Sequence, residues 1–237
     1  MMTLALLLPL CAGAQDTAAT IVDRYLRMLN YEALPTDSLL VMETSVRYHG
    51  SDATFRMRRL YSHDNMMRVE VWKGDSLTTG YCTNGSTRFR KYYPTHKWWV
   101  DVPTGSLAED IQPYDFRGPL YNWRARGITL TYNGTTTLKG QTLQVVRAKQ
   151  PNHFTRYYMF DAESGLLTLM LEKNEDDVAQ KQWLNVKPID FKTYHEFTPL
   201  GPCLLPSQES FMSDSLLTIM ETKSHFEPRN DLLFNQD

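Results

Sequence analysis

Cysteine is scarce, with three in 237 residues, and no two stand as C-x-x-C. A thioredoxin-type redox site or a zinc knuckle needs that spacing, so neither is supported. An excess of either charge is missing too: 25 Lys and Arg face 27 Asp and Glu, for a formal charge of -2. Such a chain has no general electrostatic reason to bind nucleic acid. Nucleotide and hydrolase fingerprints are absent, since G-x-G-x-x-G, G-x-x-x-x-G-K-[ST] and G-x-S-x-G do not occur. His195-Glu196 begins like the zinc-protease H-E-x-x-H, but Phe197-Thr198-Pro199 follows, which removes the second ligand and interrupts any helix. His49, His63, His96, His153 and His225 are scattered without ligand spacing. The acidic residues Glu172, Glu175, Asp176 and Asp177 lack the EF-hand spacing and its glycine, and read as a solvated loop. No metal, no cofactor and no catalytic residue is expected. An enzyme remains conceivable only if a pocket joins His195 and Glu196 to a serine or another carboxylate.

Charge is also missing from the first fifteen residues, MMTLALLLPLCAGAQ. Leu4 to Leu10 is apolar, and Ala12-Gly13-Ala14 is a small-x-small pattern. These read as the apolar core and cleavage site of a secretory signal peptide, residues 1–14, expected to be cut after Ala14, the alternative being a buried N-terminal strand. The run is shorter than the roughly 20 residues a membrane-spanning helix takes. A lipoprotein signal at Cys11 needs a small residue before the cysteine, and Leu10 is not small. The mature chain, 15–237, then keeps Cys82 and Cys203, which form either one disulfide or two isolated buried thiols. A single periplasmic domain, monomeric, without a transmembrane segment, is expected.

Strand signals dominate what is present. Asp16 to Asn30 is amphipathic at helical spacing, with Ile21, Tyr25 and Leu29 on one stripe. Beyond Pro35 the period falls to two. Phe55, Met57, Arg59 and Tyr61 alternate with Arg56 and Arg58; Met67, Val69 and Val71 alternate with Arg68 and Glu70. Ile128, Leu130 and Tyr132 alternate with threonines. Phe154, Tyr158 and Phe160 share a face, as do Leu167, Leu169 and Leu171, and Leu217 with Ile219 begins a late strand. Alternation marks antiparallel strands with one buried face. Asn84-Gly85 and Asn133-Gly134 read as two-residue hairpins, and Lys73-Gly74-Asp75, Lys139-Gly140 and Ser164-Gly165 as further tight turns. Gly105 to Arg126 breaks the pattern, with short helices expected at Ser106–Glu109 and Leu120–Arg126, and 174–182 reads as an exposed loop. The fold class is α+β: a long meander of roughly ten strands, strongly curved into a half-barrel, with the N-terminal and inserted helices over its concave face.

An apolar cavity under those helices is the natural ligand site. Phe55, Met57, Met67, Val69, Val71 and Phe89 are its candidates, from strand faces alone. Trp98 and Trp99, in the dense stretch from Arg90 to Trp99, read as a rim or partner contact, or as ordinary strand packing. Arg56, Arg58, Arg59 and Arg68 allow a basic patch on one sheet face, by default a solvated one.

The second half of the chain carries a motif order. Phe116-Arg117-Gly118-Pro119-Leu120-Tyr121-Asn122-Trp123 precedes a strand and Leu138-Lys139-Gly140-Gln141-Thr142-Leu143. Then come Tyr157-Tyr158-Met159-Phe160-Asp161-Ala162-Glu163-Ser164-Gly165-Leu166-Leu167, Phe191-Lys192-Thr193-Tyr194, Leu200-Gly201, Leu205-Pro206 and Phe226-Glu227-Pro228-Arg229-Asn230. This order, over roughly 110–230, resembles the LolA/LolB-like superfamily of outer-membrane lipoprotein-sorting proteins, as a divergent member. The resemblance implies a helix-lidded half-barrel, non-enzymatic, whose partner is a lipid or lipoprotein acyl chain, and possible contact with envelope proteins. It also implies a lid-contacting arginine in an early strand, for which Arg59 is the nearest position, with Leu60 where the family has proline. The competing reading is a cell-envelope structural or interaction module with a filled core.

Overall fold

The computed structural model describes residues 9–51, 54–85, 89–95, 98–102, 115–151, 155–173, 190–213 and 216–234. Side chains are described for these except 9–16, 98, 172–173, 190 and 213. Among the described residues one α-helix, α1 (Pro9–Leu29), precedes thirteen strands rather than ten. These are β1 (Ser38–Tyr48), β2 (Thr54–Tyr61), β3 (Met67–Lys73), β4 (Ser76–Thr83), β5 (Phe89–Tyr93), β6 (Trp98–Val102), β7 (Thr129–Leu138), β8 (Gln141–Lys149), β9 (Thr155–Asp161), β10 (Leu167–Lys173), β11 (Asp190–Leu200), β12 (Cys203–Ser213) and β13 (Leu216–Pro228). Their order is β6-β5-β4-β3-β2-β1-β13-β12-β11-β10-β9-β8-β7, and the ladder does not close. The expected single meander is therefore interrupted once, between β6 and β7, and β1 pairs with β13 along its whole length. Two compact units divide the chain: residues 1–28, 120–194 and 211–215 form one, and 29–119, 195–210 and 216–237 the other.

In the first unit α1 buries Ala18, Ile21, Val22 and Tyr25, the expected stripe. Within the described residues the helix already runs from Pro9, seven residues before the expected Asp16. Asn30, in the left-handed region at φ 50°, follows its last turn. The Tyr25 ring packs on Phe160 at 5.3 Å. Strand β9 is buried on both faces, with Tyr157, Tyr158, Met159 and Phe160 all at 1% exposure or less. The face opposite Phe160 carries a cluster of Leu143, Val145, Tyr157, Met159 and Leu171. Phe154 lies outside the described residues.

Three expectations in this unit are corrected. Asn133-Gly134 is not a hairpin: it sits inside β7 at a break in register between Tyr132 and Thr135, with both flanks still paired to β8. A bulge also uses a glycine at positive φ, here 85°, so the dipeptide alone does not separate the two outcomes. The β7–β8 turn is Lys139-Gly140, both at positive φ. Leu167, Leu169 and Leu171 do not share a face. A register shift places Leu167 opposite Phe160 but Leu169 opposite Met159, which puts them on different sides of the sheet. Leu120–Arg126 forms successive turns, not a helix, because Asn122 adopts φ 52° and breaks the right-handed run. The expected helix at 106–109 and the loop at 174–182 lie outside the described residues.

The turn at Asp161–Leu166 gives the D-x-x-S-G-L part of the motif its physical meaning. Ser164 N–H donates to Asp161 Oδ1 at 2.6 Å, Gly165 N–H to the Asp161 carbonyl at 2.8 Å, and Gln141 Nε2 to Asp161 Oδ2 at 2.9 Å. Gly165 stands at φ 77°, and an added Cβ would meet Arg24 Nε at 2.8 Å. Arg24 itself donates to the Glu163 carbonyl at 2.8 Å, so the helix is fastened to this turn. A second fastening joins α1 to the turns before β7. Asp23 accepts from both Nη atoms of Arg124, at 3.0 and 2.7 Å, and from Trp123 Nε1 at 3.2 Å.

The Arg124 hydrogen bonds hold the Asp23 carboxyl below the ordinary carboxylate range, and the Ser164 hydrogen bonds do the same for Asp161. A depressed carboxylate stabilises the fold at pH values above its unfolded titration and ceases to do so once it is protonated in the folded state. Acid titration is therefore expected to loosen this unit only below about pH 4. Asp23→Asn is expected to flatten that acid limb while costing stability at pH 7. Circular dichroism melts from pH 7 to 2 check this; an unchanged acid limb in Asp23→Asn would remove the assignment.

In the second unit both thiols are free and buried, which settles the disulfide alternative in favour of isolated cysteines. Cys82 Sγ donates to the Phe234 carbonyl at 3.3 Å, and Cys203 Sγ to the Asn30 carbonyl at 3.4 Å. Burial pushes the Cys203 thiol up, so it is a poor nucleophile. β1 buries four successive residues, Leu39 to Met42, each at 1% exposure or less. A strand covered on both faces has no alternation to detect.

Candidate functional site

Register decides which side chains in the second unit stand together. Directly paired residues of antiparallel strands point to the same side. Met42 pairs with Arg59 and Arg59 with Val69; Thr44 pairs with Met57 and Met57 with Val71. Tyr61 pairs with Met67, Met67 with Thr83, and Thr83 with Phe89. Phe55 follows on the same side two residues from Met57. All seven candidates, Phe55, Met57, Arg59, Met67, Val69, Val71 and Phe89, thus occupy one face. Met57, Arg59, Met67 and Val69 are buried there, whereas Phe55, Val71 and Phe89 are half-buried.

The face has a cover at one end. Tyr61 is buried, its ring 4.4 Å from Phe116, which in turn lies 4.8 Å from Tyr31. Burial pushes the Tyr61 hydroxyl well above the usual phenol range, so it stays protonated. Toward the other end burial fades: beyond Met57 come Phe55, Val46 and Met220, all half-buried. Met42, Thr44, Tyr61, Tyr81, Thr222 and Phe116 belong to this face but were not among the candidates. The apolar run of β1 hid the first two. Thr222 arrives only through the long-range pairing of β1 with β13, and Phe116 through the chain before β7.

Arg59 sits in the middle of the face, 7% exposed. Its Nη2 donates to Thr44 Oγ1 at 3.0 Å, and Thr44 Oγ1 lies 2.8 Å from Thr222 Oγ1. Its Nε is buried without a hydrogen-bond partner. The expected basic patch is therefore split, since Arg56, Arg58 and Arg68 lie on the opposite face. There Arg58 faces Glu227 at 3.5 Å and Arg68 pairs with Glu70 at 2.6 Å, which neutralises much of the charge.

Trp99 also belongs to that opposite face, paired with Tyr92, so it does not rim the candidate face. It is partly buried against Leu39, Val41, Leu60, Met66, Cys82 and Phe234, and the Arg68 guanidinium lies 4.9 Å from its ring. Gly80 leaves room for the indole: a Cβ there would come within 2.6 Å of it. Trp98 pairs with Tyr93 in the ladder; its side chain lies outside the description.

His195 Nε2 and Ser210 Oγ lie 2.8 Å apart, the contact that bears on an enzyme. Glu196 is the next residue along β11, so strand alternation turns it to the other face, away from the imidazole. The pair is an exposed cross-strand contact, and among the described residues no carboxylate is hydrogen-bonded to the imidazole as in a triad. Among the described residues no three His, Cys, Asp or Glu side chains converge as a metal site, and no helix is long and apolar enough to cross a membrane.

No sequence-family profile matches the chain, and no curated protein matches it by sequence. Solved structures do. A DUF1329 family protein from Desulfovibrio piger superposes with a TM-score of 0.62 at 11% identity, covering 92% of this chain and 97% of that one. A LolA superfamily protein from Nitrosomonas europaea gives 0.60 at 9% identity, over 92% and 96%. A putative outer membrane lipoprotein-sorting protein domain from Vibrio parahaemolyticus gives 0.56 at 10% identity, over 91% and 97%. In fold, the chain is LolA-like.

Proposed function

We propose that the protein is a non-enzymatic carrier or binder of lipid or lipoprotein acyl chains, exported to the periplasm after loss of residues 1–14. Residues 15–237 then act as one domain, with a sheet curved enough to receive a chain. The observation that carries this reading is the largely apolar face of β1–β3 and β13, buried at Tyr61 and Arg59 and half-buried toward Phe55, Val46 and Met220. Hiding an acyl chain is worth about 0.8 kcal/mol per CH₂, and side chains of Met, Phe and Val supply that without any reactive group. The lipoprotein-sorting neighbour is consistent with such cargo.

Native mass spectrometry of the mature protein purified from cells is expected to show bound lipid, and a fluorescent fatty-acid probe to bind saturably and be displaced by lipid. Substituting Met57 or Val69 by Asp in a folded variant is expected to weaken the probe at least about tenfold, because a carboxylate beside Arg59 then replaces apolar contact on the face. Absence of both lipid and saturable probe binding would leave the envelope interaction module as the better reading.

A further inference from the structure

We propose that Arg59 is the receptor for the anionic head of a single-chain amphiphile, a fatty acid carboxylate, whose tail runs along Met57 toward Phe55. The inference rests on the acyl-chain reading above and adds the chemical class of the ligand. Three observations carry it. Arg59 is a buried guanidinium between its cross-strand partners Met42 and Val69, both at 0% exposure. Its hydrogen bonding is incomplete: Nη2 reaches Thr44, while Nε has no partner. No described carboxylate forms an ion pair with it, although other arginines of this sheet find one, as Arg58, Arg68 and Arg90 do with Glu227, Glu70 and Asp101.

A buried charge is tolerated when it is paired and fully hydrogen-bonded. Arginine presents five N–H donors in a planar fork that matches a carboxylate with two parallel bonds. A carboxylate approaching from the Met57 side meets that fork and supplies both the missing acceptor and the missing countercharge. The alkyl tail then runs away from the Tyr61–Phe116–Tyr31 cover and along the half-buried row of Phe55, Val46 and Met220. A neutral lipid fits the row but leaves the guanidinium as it is.

Isothermal titration with oleate and with oleyl alcohol, which share a tail and differ in the head, tests this. Oleate is expected to bind the wild type at least about tenfold more tightly than the alcohol, the range of a charge-assisted hydrogen-bonded pair. Arg59→Met is expected to remove that preference, so that oleate and the alcohol bind this variant with equal affinity. The alcohol arm and a melting curve show that this variant is folded. Arg59→Lys, which keeps the charge but loses the fork, is expected to fall between. Acetate and inorganic phosphate carry the anion without the tail; either one binding as tightly as oleate would overturn the amphiphile assignment. Equal affinity of the wild type for oleate and the alcohol, or an unchanged preference in Arg59→Met, would overturn the role of Arg59 and leave acyl-chain binding intact. Binding of neither ligand would overturn both.

Discussion

Replacing Phe234 by alanine is expected to destabilise the protein by about 3–5 kcal/mol, the usual cost of emptying a buried phenylalanine site. Phe234 is 1% exposed and closes the cluster of Leu39, Val41, Leu60, Met66 and Cys82. It stands in a single 3-10 turn, Asp231–Phe234, which has little helical stability of its own. Side chains hold that turn in place. Arg68 donates to the Leu233 carbonyl at 2.6 Å, and Arg229 bridges Asp231 and Asp64 at 2.7 and 2.6 Å. Cys82 reports on the cluster, because its thiol donates to the Phe234 carbonyl. In Phe234→Ala the Cys82 thiol is expected to react with maleimide many times faster than in the wild type, with Cys203 still protected. Peptide mass mapping assigns the label to each cysteine. Unchanged protection of Cys82, with a loss of stability under 1 kcal/mol, would refute the closing role of this ring.

Phe160→Ala is expected to cost a comparable amount, about 3–5 kcal/mol, in the other unit. The ring is 0% exposed, packs against Tyr25 of α1, and lies beside Leu167 across the strand pair. Its loss removes the Tyr25–Phe160 ring contact between α1 and β9. Hydrogen exchange should therefore rise in α1 and β8–β10 and stay near wild type in β1–β4. Phe160→Leu keeps most of the volume and should cost under about 1.5 kcal/mol. Equal exchange in all segments, or a leucine variant as damaged as the alanine one, would argue against this packing role.

Much of the sheet was legible because period-two alternation survives wherever one face is wetter. Arg56 and Arg58 between Phe55, Met57 and Arg59 mark β2 and its inward face; Arg68 and Glu70 do the same for β3. Those two strands supply six of the seven candidates, and pairing brings them and Phe89 of β5 to one side. Legibility failed where both faces are buried, as at Leu39 to Met42, and where an inserted residue shifts the period, as between Leu167 and Leu169. The dipeptide Asn-Gly failed as a turn signal at Asn133-Gly134 because a bulge and a type I′ turn demand the same freedom of φ. Trp99 could not be assigned from its neighbours in sequence. Its surroundings are Gly80, Arg68 and Phe234, all distant along the chain.

By itself, the sequence determined the chemistry available: no nucleotide, hydrolase or zinc fingerprint, one amphipathic helix and strands whose sidedness is written in alternating arginines. These are local properties, set by side-chain type and backbone preference over a few residues. Tertiary structure alone decided that β1 pairs with β13, that Thr222 lies beside Thr44 and that the Arg59 guanidinium is buried with an unanswered donor. Those are consequences of long-range pairing, which fixes what each side chain meets and whether water can still reach it.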